Sequence, residues 1–596
     1  MKNFQSNVFA TFVGMVLFCI AAGIISLIGI LGMAISASST TEVKDGSVLV
    51  LNLDGILEEQ ASSASPLEML QGQDGNHLGL AETLSAIQKA KKSDKIRGIL
   101  IEGGGIDGDL AQLQEMRRAL TDFKKSGKWV IAYGEGYSTG CYYVASVADK
   151  LYLNPQGTIN WQGLGAQLYF VKDMLAKVGI KYYSFKCGKY KSATEMLTEE
   201  HMSEPSRQQA ERYLGQWWNT ITDAVAKSRN ISKDSLNAYA DRVISLESTK
   251  NLVKYKMIDG VLYNDEIQKV IKKKLGLKED DDIPQATVED MKGVDTDESG
   301  DAIAVYYASG VIVSEVPPQN AMQGMKFIAS DEVCKDLADL ADDDDVKAVV
   351  LRVNSPGGSA YASEQIWHAI ENLKKVKPVV VSMSGYAASG GYYISSGANY
   401  IYADPATITG SIGIYGAFPD GTGLAEKLGV KFDEVKTNRN ATMMSNYFGL
   451  LTASLTPEQS NKIQAYINNG YTLFKSRVAQ GRHLSMQAVE ERAQGHVFTG
   501  EDALKLKLVD ALGGTEEAVA KAASLAKLSE YHTVAYPEEM SFIEQLLMDT
   551  TNKDKYLNDQ LRLTLGQYYV PFMTMRIINS MDHIQALMPF NIIYNK

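Results

Sequence analysis

Short apolar runs alternate with amphipathic segments along much of the 596-residue chain. Ser47–Gly55, Ile96–Glu102 and Trp129–Tyr133 are apolar runs that predict β-strands. Leu110–Phe123 has the apolar spacing that favours a helix between two of these strands. Strands that alternate with helices need crossover connections, so the pattern predicts an α/β fold with a mostly parallel sheet.

The same order of elements recurs in the second half of the chain, at an offset of about 250 residues. Ala302–Gly310 resembles the first predicted strand, and Val346–Arg352 resembles Ile96–Glu102. Further equivalent pairs are Tyr142-Tyr143 with Tyr392-Tyr393, Asn154-Pro155 with Asp404-Pro405, and Met257–Asp259 with Leu508–Asp510, the last with a small slip in register. Self-similarity over this length predicts two tandem domains of one fold.

These patterns predict five segments, which we describe by their residue numbers. They are an N-terminal stub and membrane anchor (1–45), a first repeat (46–278), an acidic linker (279–301), a second repeat (302–536) and a tail rich in Leu, Met, Tyr and Phe (537–596). We expect the tail to pack as helices on a domain or on a neighbouring subunit, with membrane contact as an alternative.

The N-terminal segment contains a long uncharged run, residues 8–37. A helix of around 20 residues crosses a bilayer, whereas the apolar region of a cleaved signal peptide has only about 7–15 residues. We therefore predict a single signal-anchor helix, although Ala34–Ala37 could imitate a cleavage site. Lys2 precedes the run and Glu42 and Asp45 follow it, so positive-inside bias places most of the protein outside the cytoplasm.

Composition excludes several classes of function. The net charge of −12 and the pI near 5.3 argue against a nucleic-acid partner, because a basic surface excess is needed to neutralise phosphates. The four cysteines are scattered without metal-ligand spacing, so neither a disulfide framework nor a zinc site is predicted. We expect no cofactor and no metal.

The segment Val379–Ile394 carries the first candidate for chemistry. A β-branched run leads into a turn of small residues, Ala387–Gly391, and a helical pattern follows. Ser389 on such a strand-to-helix turn would have an exposed hydroxyl and a backbone N–H able to stabilise an oxyanion. The alternative is a glycine-rich turn with a capping serine.

The two repeats differ at the positions that could react. Ser389 aligns with Thr139, Gly357 with Asp107, and Lys191 with Ala441. The second half therefore has a serine and a Gly-Gly loop without the lysine, while the first half has the lysine without the serine. This complementarity predicts one site divided between the two repeats.

A serine nucleophile needs a base to remove its proton. None of the seven histidines lies in a triad motif; His368 is better explained as a solvated or packed helical residue. A buried lysine can serve as the base in a Ser-Lys dyad, and Lys191 has Tyr190 and Cys187 as less polar neighbours. The alternative is a solvated basic loop, because other lysines lie close by.

Glycines and hydroxyl groups complete the candidate site. Gly357 and Gly358 could aim a backbone N–H at a substrate carbonyl, with the Ser389 N–H as the second donor, or could form an ordinary turn. Ser411 or Thr409 could hydrogen-bond the lysine amine and hold it in place, or could simply form turns.

Four motifs together resemble the bacterial signal peptide peptidase A (protease IV) family in its long two-repeat form. The motifs are Ser355–Ser359, Ala387–Tyr392, Thr409–Gly413 and Gly188–Ala193. The resemblance implies two crotonase-like or Clp-protease-like domains, with Ser389 as nucleophile and Lys191 as general base from the other repeat. It also implies an oxyanion hole at Gly358 and the Ser389 amide, and a lysine-orienting hydroxyl at Ser411.

The resemblance implies a biological setting as well. Members of the family form a bowl-like homotetramer on the outer face of the cytoplasmic membrane, as single-pass proteins. There they degrade peptide substrates, the signal peptides left in the bilayer after cleavage from secreted proteins. Asp107 and Thr139 depart from the active-site pattern, which argues against a second active site in the first repeat.

Two rival functions stay open at this point. The first is an acyl-CoA hydratase or hydrolase of the crotonase fold, which would bind CoA and would need neither the anchor nor the lysine. The second is a non-enzymatic membrane scaffold in which the duplicated domain forms an assembly ring.

Overall fold

The computed structural model describes residues 15, 42–61, 77–294, 299–316, 326–537 and 584–587. The predicted anchor, residues 8–37, lies outside these ranges except for Met15. Within the described ranges, no helix combines the length and the apolar character needed to cross a bilayer.

The first half consists of strands and helices in alternation. Its strands are β1 (Ser47–Glu58), β2 (His77–Gly79), β3 (Ile96–Asp107), β4 (Trp129–Tyr137), β5 (Lys150–Ile159), β6 (Lys181–Lys186), β7 (Gly260–Val261) and β8 (Gln285–Ala286). Its helices are α1 (Leu80–Lys92), α2 (Leu110–Lys124), α3 (Thr139–Ala145), α4 (Lys172–Val178), α5 (Glu195–Thr198), α6 (Glu204–Arg229), α7 (Lys233–Asp241), α8 (Thr249–Lys254) and α9 (Asn264–Leu275), with 3₁₀ turns at Ile244–Leu246 and Asp290–Gly293.

The second half repeats this alternation. Its strands are β9 (Asp301–Ser309), β10 (Val311–Val313), β11 (Phe327–Ala329), β12 (Val346–Ser355), β13 (Gly357–Ser359), β14 (Val379–Ala388), β15 (Tyr400–Ala403), β16 (Ile408–Gly410), β17 (Tyr415–Asp420), β18 (Asn446–Tyr447), β19 (Leu450–Leu451), β20 (Val497–Thr499), β21 (Ala511–Leu512), β22 (Tyr531–Tyr536) and β23 (Ile584–Leu587). Its helices are α10 (Ser330–Asp342), α11 (Ala360–Leu373), α12 (Gly390–Ser395), α13 (Thr422–Leu428), α14 (Pro457–Arg482), α15 (Met486–Arg492), α16 (Gly500–Lys505) and α17 (Thr515–Ala526).

Two sheets of the described residues contain the strands predicted from the apolar runs. The first has the order β2-β1-β3-β4-β5-β7, with β8 beside β1, and its strands run parallel. The second has the order β20-β16-β14-β12-β9-β22, with β15 beside β14 and β21 beside β15, and only β20 is antiparallel to its neighbour. The prediction of an α/β fold with mostly parallel sheets is confirmed.

Equivalent hydrogen bonds show that the two halves are structural repeats. The Tyr142 hydroxyl donates to the Met257 carbonyl at 2.8 Å, and the Tyr392 hydroxyl donates to the Leu508 carbonyl at 2.9 Å. Both tyrosines are fully buried on the short helices α3 and α12. The sequence equivalences at these positions are therefore confirmed.

A third sheet joins the halves, and the apolar pattern did not predict it. Its order is β11-β10-β13-β23-β17-β19-β18, with β6 beside β17. Strand β6 belongs to the first half, yet it pairs antiparallel with β17 of the second half along its whole length. Because β6 ends at Lys186, this pairing places Lys191, five residues later, next to the second half.

Two predicted segments differ from the structure. Within the predicted linker, β8 pairs parallel with β1 and Met291 is buried, so this part of the linker is folded onto the first sheet. In the predicted helical tail, the described residues Ile584–Leu587 form a strand instead, because both neighbouring strands offer unpaired edges. The rest of the tail beyond Pro537 lies outside the described residues.

Candidate active site

Ser389 lies between the end of β14 and the start of α12, as the strand-to-helix pattern predicted. Its backbone has φ 55° and ψ −110°, a conformation that a non-glycine residue rarely adopts and that costs about 1–3 kcal/mol. Its N–H donates to the Gly410 carbonyl at 2.9 Å, which holds this conformation against β16. The Ser389 side chain is fully buried at this turn, whereas the sequence predicted an exposed hydroxyl.

Lys191 of the first half reaches this hydroxyl. Its Nζ lies 2.7 Å from Ser389 Oγ, 3.0 Å from Ser411 Oγ and 3.2 Å from the Ser411 carbonyl oxygen. All three side chains are fully buried. Residues that are far apart in the sequence thus form one hydrogen-bonded cluster, and they come from both repeats.

Burial changes the acid-base chemistry of the cluster. Desolvation by burial lowers the pKa of Lys191 well below its ordinary value of 10.5. A neutral amine has a lone pair that can accept the proton of the Ser389 hydroxyl. The arrangement is therefore able to activate a serine without histidine; His368, on α11, is exposed and contacts Asn372 instead.

The loop that carries Lys191 is held by the second half. Gly188 has φ +95°, and a Cβ there would lie 2.2 Å from the backbone of Gln494. The Tyr190 N–H donates to the Gln494 carbonyl at 3.0 Å, and Gln209 of α6 donates to the Tyr190 carbonyl at 3.2 Å. Because its loop is fixed on both sides, Lys191 has little freedom to leave Ser389.

The two hydroxyl candidates for orienting the lysine lie in different places. Ser411, with φ 48°, donates its N–H to the His496 carbonyl at 2.7 Å and presents its side chain to Lys191. Thr409 donates its hydroxyl to the Ala387 carbonyl at 2.7 Å, where it supports the end of β14. Thr409 therefore contacts the β14 backbone and not the lysine, so the prediction is corrected to Ser411 alone. The two residues do not share a face, because β16 ends at Gly410 and the positive φ of Gly410 and Ser411 breaks the regular alternation of the strand.

Two of the predicted oxyanion donors are already engaged. The Gly357 N–H donates to Ser355 Oγ at 3.1 Å, and the Ser389 N–H donates to Gly410. These two assignments are therefore corrected. Gly358 lies beside Gly390, the residue that follows Ser389, and the amide of Gly390 is a further candidate donor that the sequence did not indicate.

Gly358 and Gly390 lie close enough to act on one oxygen atom. A Cβ on Gly390 would lie 3.1 Å from the Gly358 nitrogen. Gly390 is the first residue of α12, so its N–H has no acceptor inside the helix. The signal that could have identified it is its position directly after Ser389, where a helix begins.

The equivalent place in the first repeat lacks this chemistry. Thr139 stands where Ser389 stands in the second repeat, and its hydroxyl donates to the Asn160 carbonyl at 2.7 Å. The polar cleft beside it is lined by Asp54, Glu102 and Glu135. The first repeat thus supplies the lysine to the composite site but has no serine at its own equivalent position.

Comparisons with known proteins agree with this two-repeat arrangement. Residues 122–278 and 371–529 each match Peptidase family S49, and residues 321–407 match the Clp protease family. The two S49 matches are separated by the same offset as the repeated strands.

Three relatives resemble the chain over most of its length. Protease 4 of Salmonella typhi is 34% identical, covering 88% of this chain and 86% of its own. Protease 4 of Haemophilus influenzae is 35% identical, covering 91% of this chain and 90% of its own. The chloroplastic serine protease SPPA of Arabidopsis thaliana is 30% identical, covering 88% of this chain and 77% of its own.

Proposed function

Because this chain belongs to peptidase family S49 and is a serine peptidase, we propose that Ser389 is its nucleophile and Lys191 its general base. The observation that carries the proposal is the 2.7 Å contact between Lys191 Nζ and Ser389 Oγ in a fully buried site. Burial supports the neutral form of the amine, which a general base requires.

The proposed reaction proceeds through an acyl-enzyme. Lys191 takes the proton of the Ser389 hydroxyl as the oxygen attacks the scissile carbonyl carbon, and the N–H groups of Gly358 and Gly390 stabilise the oxyanion. The lysine then gives its proton to the leaving amine. A water molecule, deprotonated by the same lysine, hydrolyses the ester. Ser411 orients the lysine by its contact at 3.0 Å.

The proposed substrates are signal peptides left in a membrane after their removal from secreted proteins. Strands β13 and β17 both pair with the extended segment β23 that lies between them. An extended peptide in the place of β23 could pair with both strands largely independently of its sequence. The uncharged run at residues 8–37 supports a single-pass anchor in the cytoplasmic membrane, with the catalytic domains on the outer side. We propose a homotetramer on the same family resemblance.

Two substitutions test the proposed dyad. Ser389→Ala and Lys191→Ala should each lower hydrolysis of an apolar peptide by at least about 10³-fold, because each removes one half of the reacting pair. Lys189→Ala is the matched control, since Lys189 is an exposed neighbour in the same loop, and it should keep nearly full activity. Product formation is followed by mass spectrometry, and unchanged thermal unfolding shows that the variants fold.

A serine-directed phosphonate separates the proposal from its rivals. It should label Ser389 in the parent protein and fail to label the Lys191→Ala variant, because the hydroxyl is then not activated. Stabilisation by CoA esters in a thermal-shift titration, without phosphonate labelling, would favour the acyl-CoA enzyme instead. Neither response would favour a scaffold.

A further inference from the structure

The segment Gln494–His496 of the second half lies against the loop that carries Lys191. It connects α15 to β20. The Tyr190 N–H donates to the first carbonyl of the segment at 3.0 Å, and the Ser411 N–H donates to its last carbonyl at 2.7 Å. The segment is therefore bonded both to the residue before the proposed base and to the serine that orients that base.

Gly495 is the point at which this segment meets the backbone of the lysine. Its φ is +75°, and an added Cβ would lie 2.7 Å from both the nitrogen and the Cβ of Lys191. Its own N–H donates to the Ile412 carbonyl at 2.8 Å, which holds the segment in this position. Only a residue without a side chain allows the two backbones to approach so closely.

The ring of His496 stacks on the residue that precedes the lysine. The His496 and Tyr190 rings are nearly parallel, at an angle of 16°, and their centroids are 4.1 Å apart. Phe498 of β20 also packs on His496, with its ring centroid 4.3 Å away. The imidazole therefore contacts one aromatic ring from each half of the chain, and it ties Tyr190 to the second half.

The surroundings of His496 keep its imidazole neutral. Burial, together with the nearby cations of Arg212 and Lys189, lowers the pKa of His496 to about 4, although the Asp502 carboxylate acts in the opposite direction. At neutral pH the ring therefore carries no charge, which favours close packing on Tyr190.

We propose, on the basis of the dyad proposed above, that His496 and Gly495 are positioning residues for Lys191. His496 holds Tyr190 by stacking, and Gly495 lets the second half pack directly on the backbone of the lysine. Together they keep the amine within reach of Ser389 and exclude water from it. Neither residue exchanges a proton in the reaction.

Substitutions of His496 test the stacking contact. His496→Ala removes the ring and misplaces the base, so kcat for an apolar peptide should fall by at least about 10-fold while KM stays nearly unchanged. Water that enters the vacated space should also move the rising limb of kcat/KM to higher pH, because a better hydrated amine has a higher pKa. His496→Phe keeps an aromatic ring and should retain most of the kcat and the pH profile of the parent protein.

Two further variants make these results decisive, with circular dichroism to show that each protein is folded in the assay. His368→Ala removes an exposed histidine and should behave like the parent protein. Lys191→Ala tests the dyad itself. If Lys191→Ala loses activity while His496→Ala keeps the kcat and pH profile of the parent protein, His496 does not position the base and the dyad stands. Activity retained in Lys191→Ala would overturn both proposals.

The same measurements separate positioning from a general structural role. A lower kcat in His496→Ala without a shift of the rising limb would mean that the ring only supports the fold, and would overturn the proposal. If His496→Phe were as impaired as His496→Ala, stacking would not be what the imidazole provides, and the proposal would fail as well.

Gly495→Ala tests the close approach of the backbones independently of the ring. Its Cβ would lie 2.7 Å from the lysine nitrogen, so the loop must move, and kcat should fall by about 100-fold with KM nearly unchanged. Gly127→Ala is the matched control, because Gly127 has φ +82° but nothing lies within 4 Å of an added Cβ. Gly127→Ala should keep the kcat of the parent protein. Equal kcat values in the two folded variants would show that the segment does not fix the base.

Discussion

At the scale of single residues, the site depends on which polar groups are left without a structural partner. Ser389, Lys191, Ser411 and Gly358 could be chosen from the sequence, because each lies in a short motif that places a reactive group at a turn. The sequence could not show whether the N–H of Gly390 or that of Ser389 is available as an oxyanion donor. The distinction arises from one hydrogen bond to Gly410, a residue on another strand.

The buried amine of Lys191 predicts the pH dependence of the reaction. Only the neutral amine can accept the Ser389 proton, so kcat/KM should rise with pH through the pKa of Lys191 and level off below 10.5. Lys191→Arg should stay inactive across this range, because a guanidinium does not deprotonate in a protein. Rates measured with a short apolar peptide give the profile. A rising limb centred at or above 10.5 would contradict it.

The same amine predicts a pH-dependent cost in stability. Its pKa is lower in the folded chain than in the unfolded chain, so the unfolded chain binds more protons between the two pKa values. Below that window, each unit of difference in pKa costs the fold about 1.4 kcal/mol. Lys191→Met should therefore raise the free energy of unfolding at neutral pH. The gain should shrink as pH rises through the window between the two pKa values, and vanish above about 10.4. Urea unfolding at several pH values measures this, and a gain independent of pH would refute it.

At the scale of elements, the strands of the two parallel sheets followed from their apolar runs, whereas the third sheet did not. Strand β6 has a lysine at each end, with three aromatic residues and a serine between them, and it is only partly buried, so its sequence does not predict which strand it pairs with. Strand β23 lies in a segment rich in Leu, Met, Tyr and Phe, a composition equally consistent with helices. Pairing between elements that are distant in sequence decided both outcomes.

The loop after β6 offers a test of how this element positions the base. Gly188→Ala would force a Cβ to within 2.2 Å of the Gln494 backbone, so the loop must move and carry Lys191 away from Ser389. A displacement near 1 Å is expected to lower kcat/KM by about 100-fold. Gly276→Ala is the matched control, because Gly276 also has positive φ but nothing lies within 4 Å of its added Cβ. Gly276→Ala should lose some stability and keep its activity; equal activity in both variants would rule out this role for the loop.

At the scale of the whole molecule, the two repeats are interlocked. Trp217 of α6 donates its indole N–H to the Ala406 carbonyl at 2.7 Å, and Arg212 of the same helix bonds Asp502 at 2.7 Å. Self-similarity in the sequence predicted two domains but could not predict this packing, since it depends on helices that cross from one repeat to the other. A composite site requires such packing, because a small rotation between the halves would separate Lys191 from Ser389.

A buried arginine at this interface gives the strongest test of the interlock. Arg352 of β12 is fully buried and lies 2.6 Å from both Glu59 and Glu115 of the first half. Arg352→Met would leave the two carboxylates buried without this arginine, so the free energy of unfolding should fall by about 3–5 kcal/mol. Arg439→Met is the control, because it removes the exposed ion pair Arg439–Glu458. Its free energy of unfolding should fall by only about 0–1 kcal/mol. Adding Glu59→Gln and Glu115→Gln to Arg352→Met should recover part of the loss, because neutral amides cost less to bury than unpaired charges. If Arg352→Met and Arg439→Met unfolded at the same denaturant concentration, the buried cation would not hold the two halves together, and the position of Lys191 would need another support.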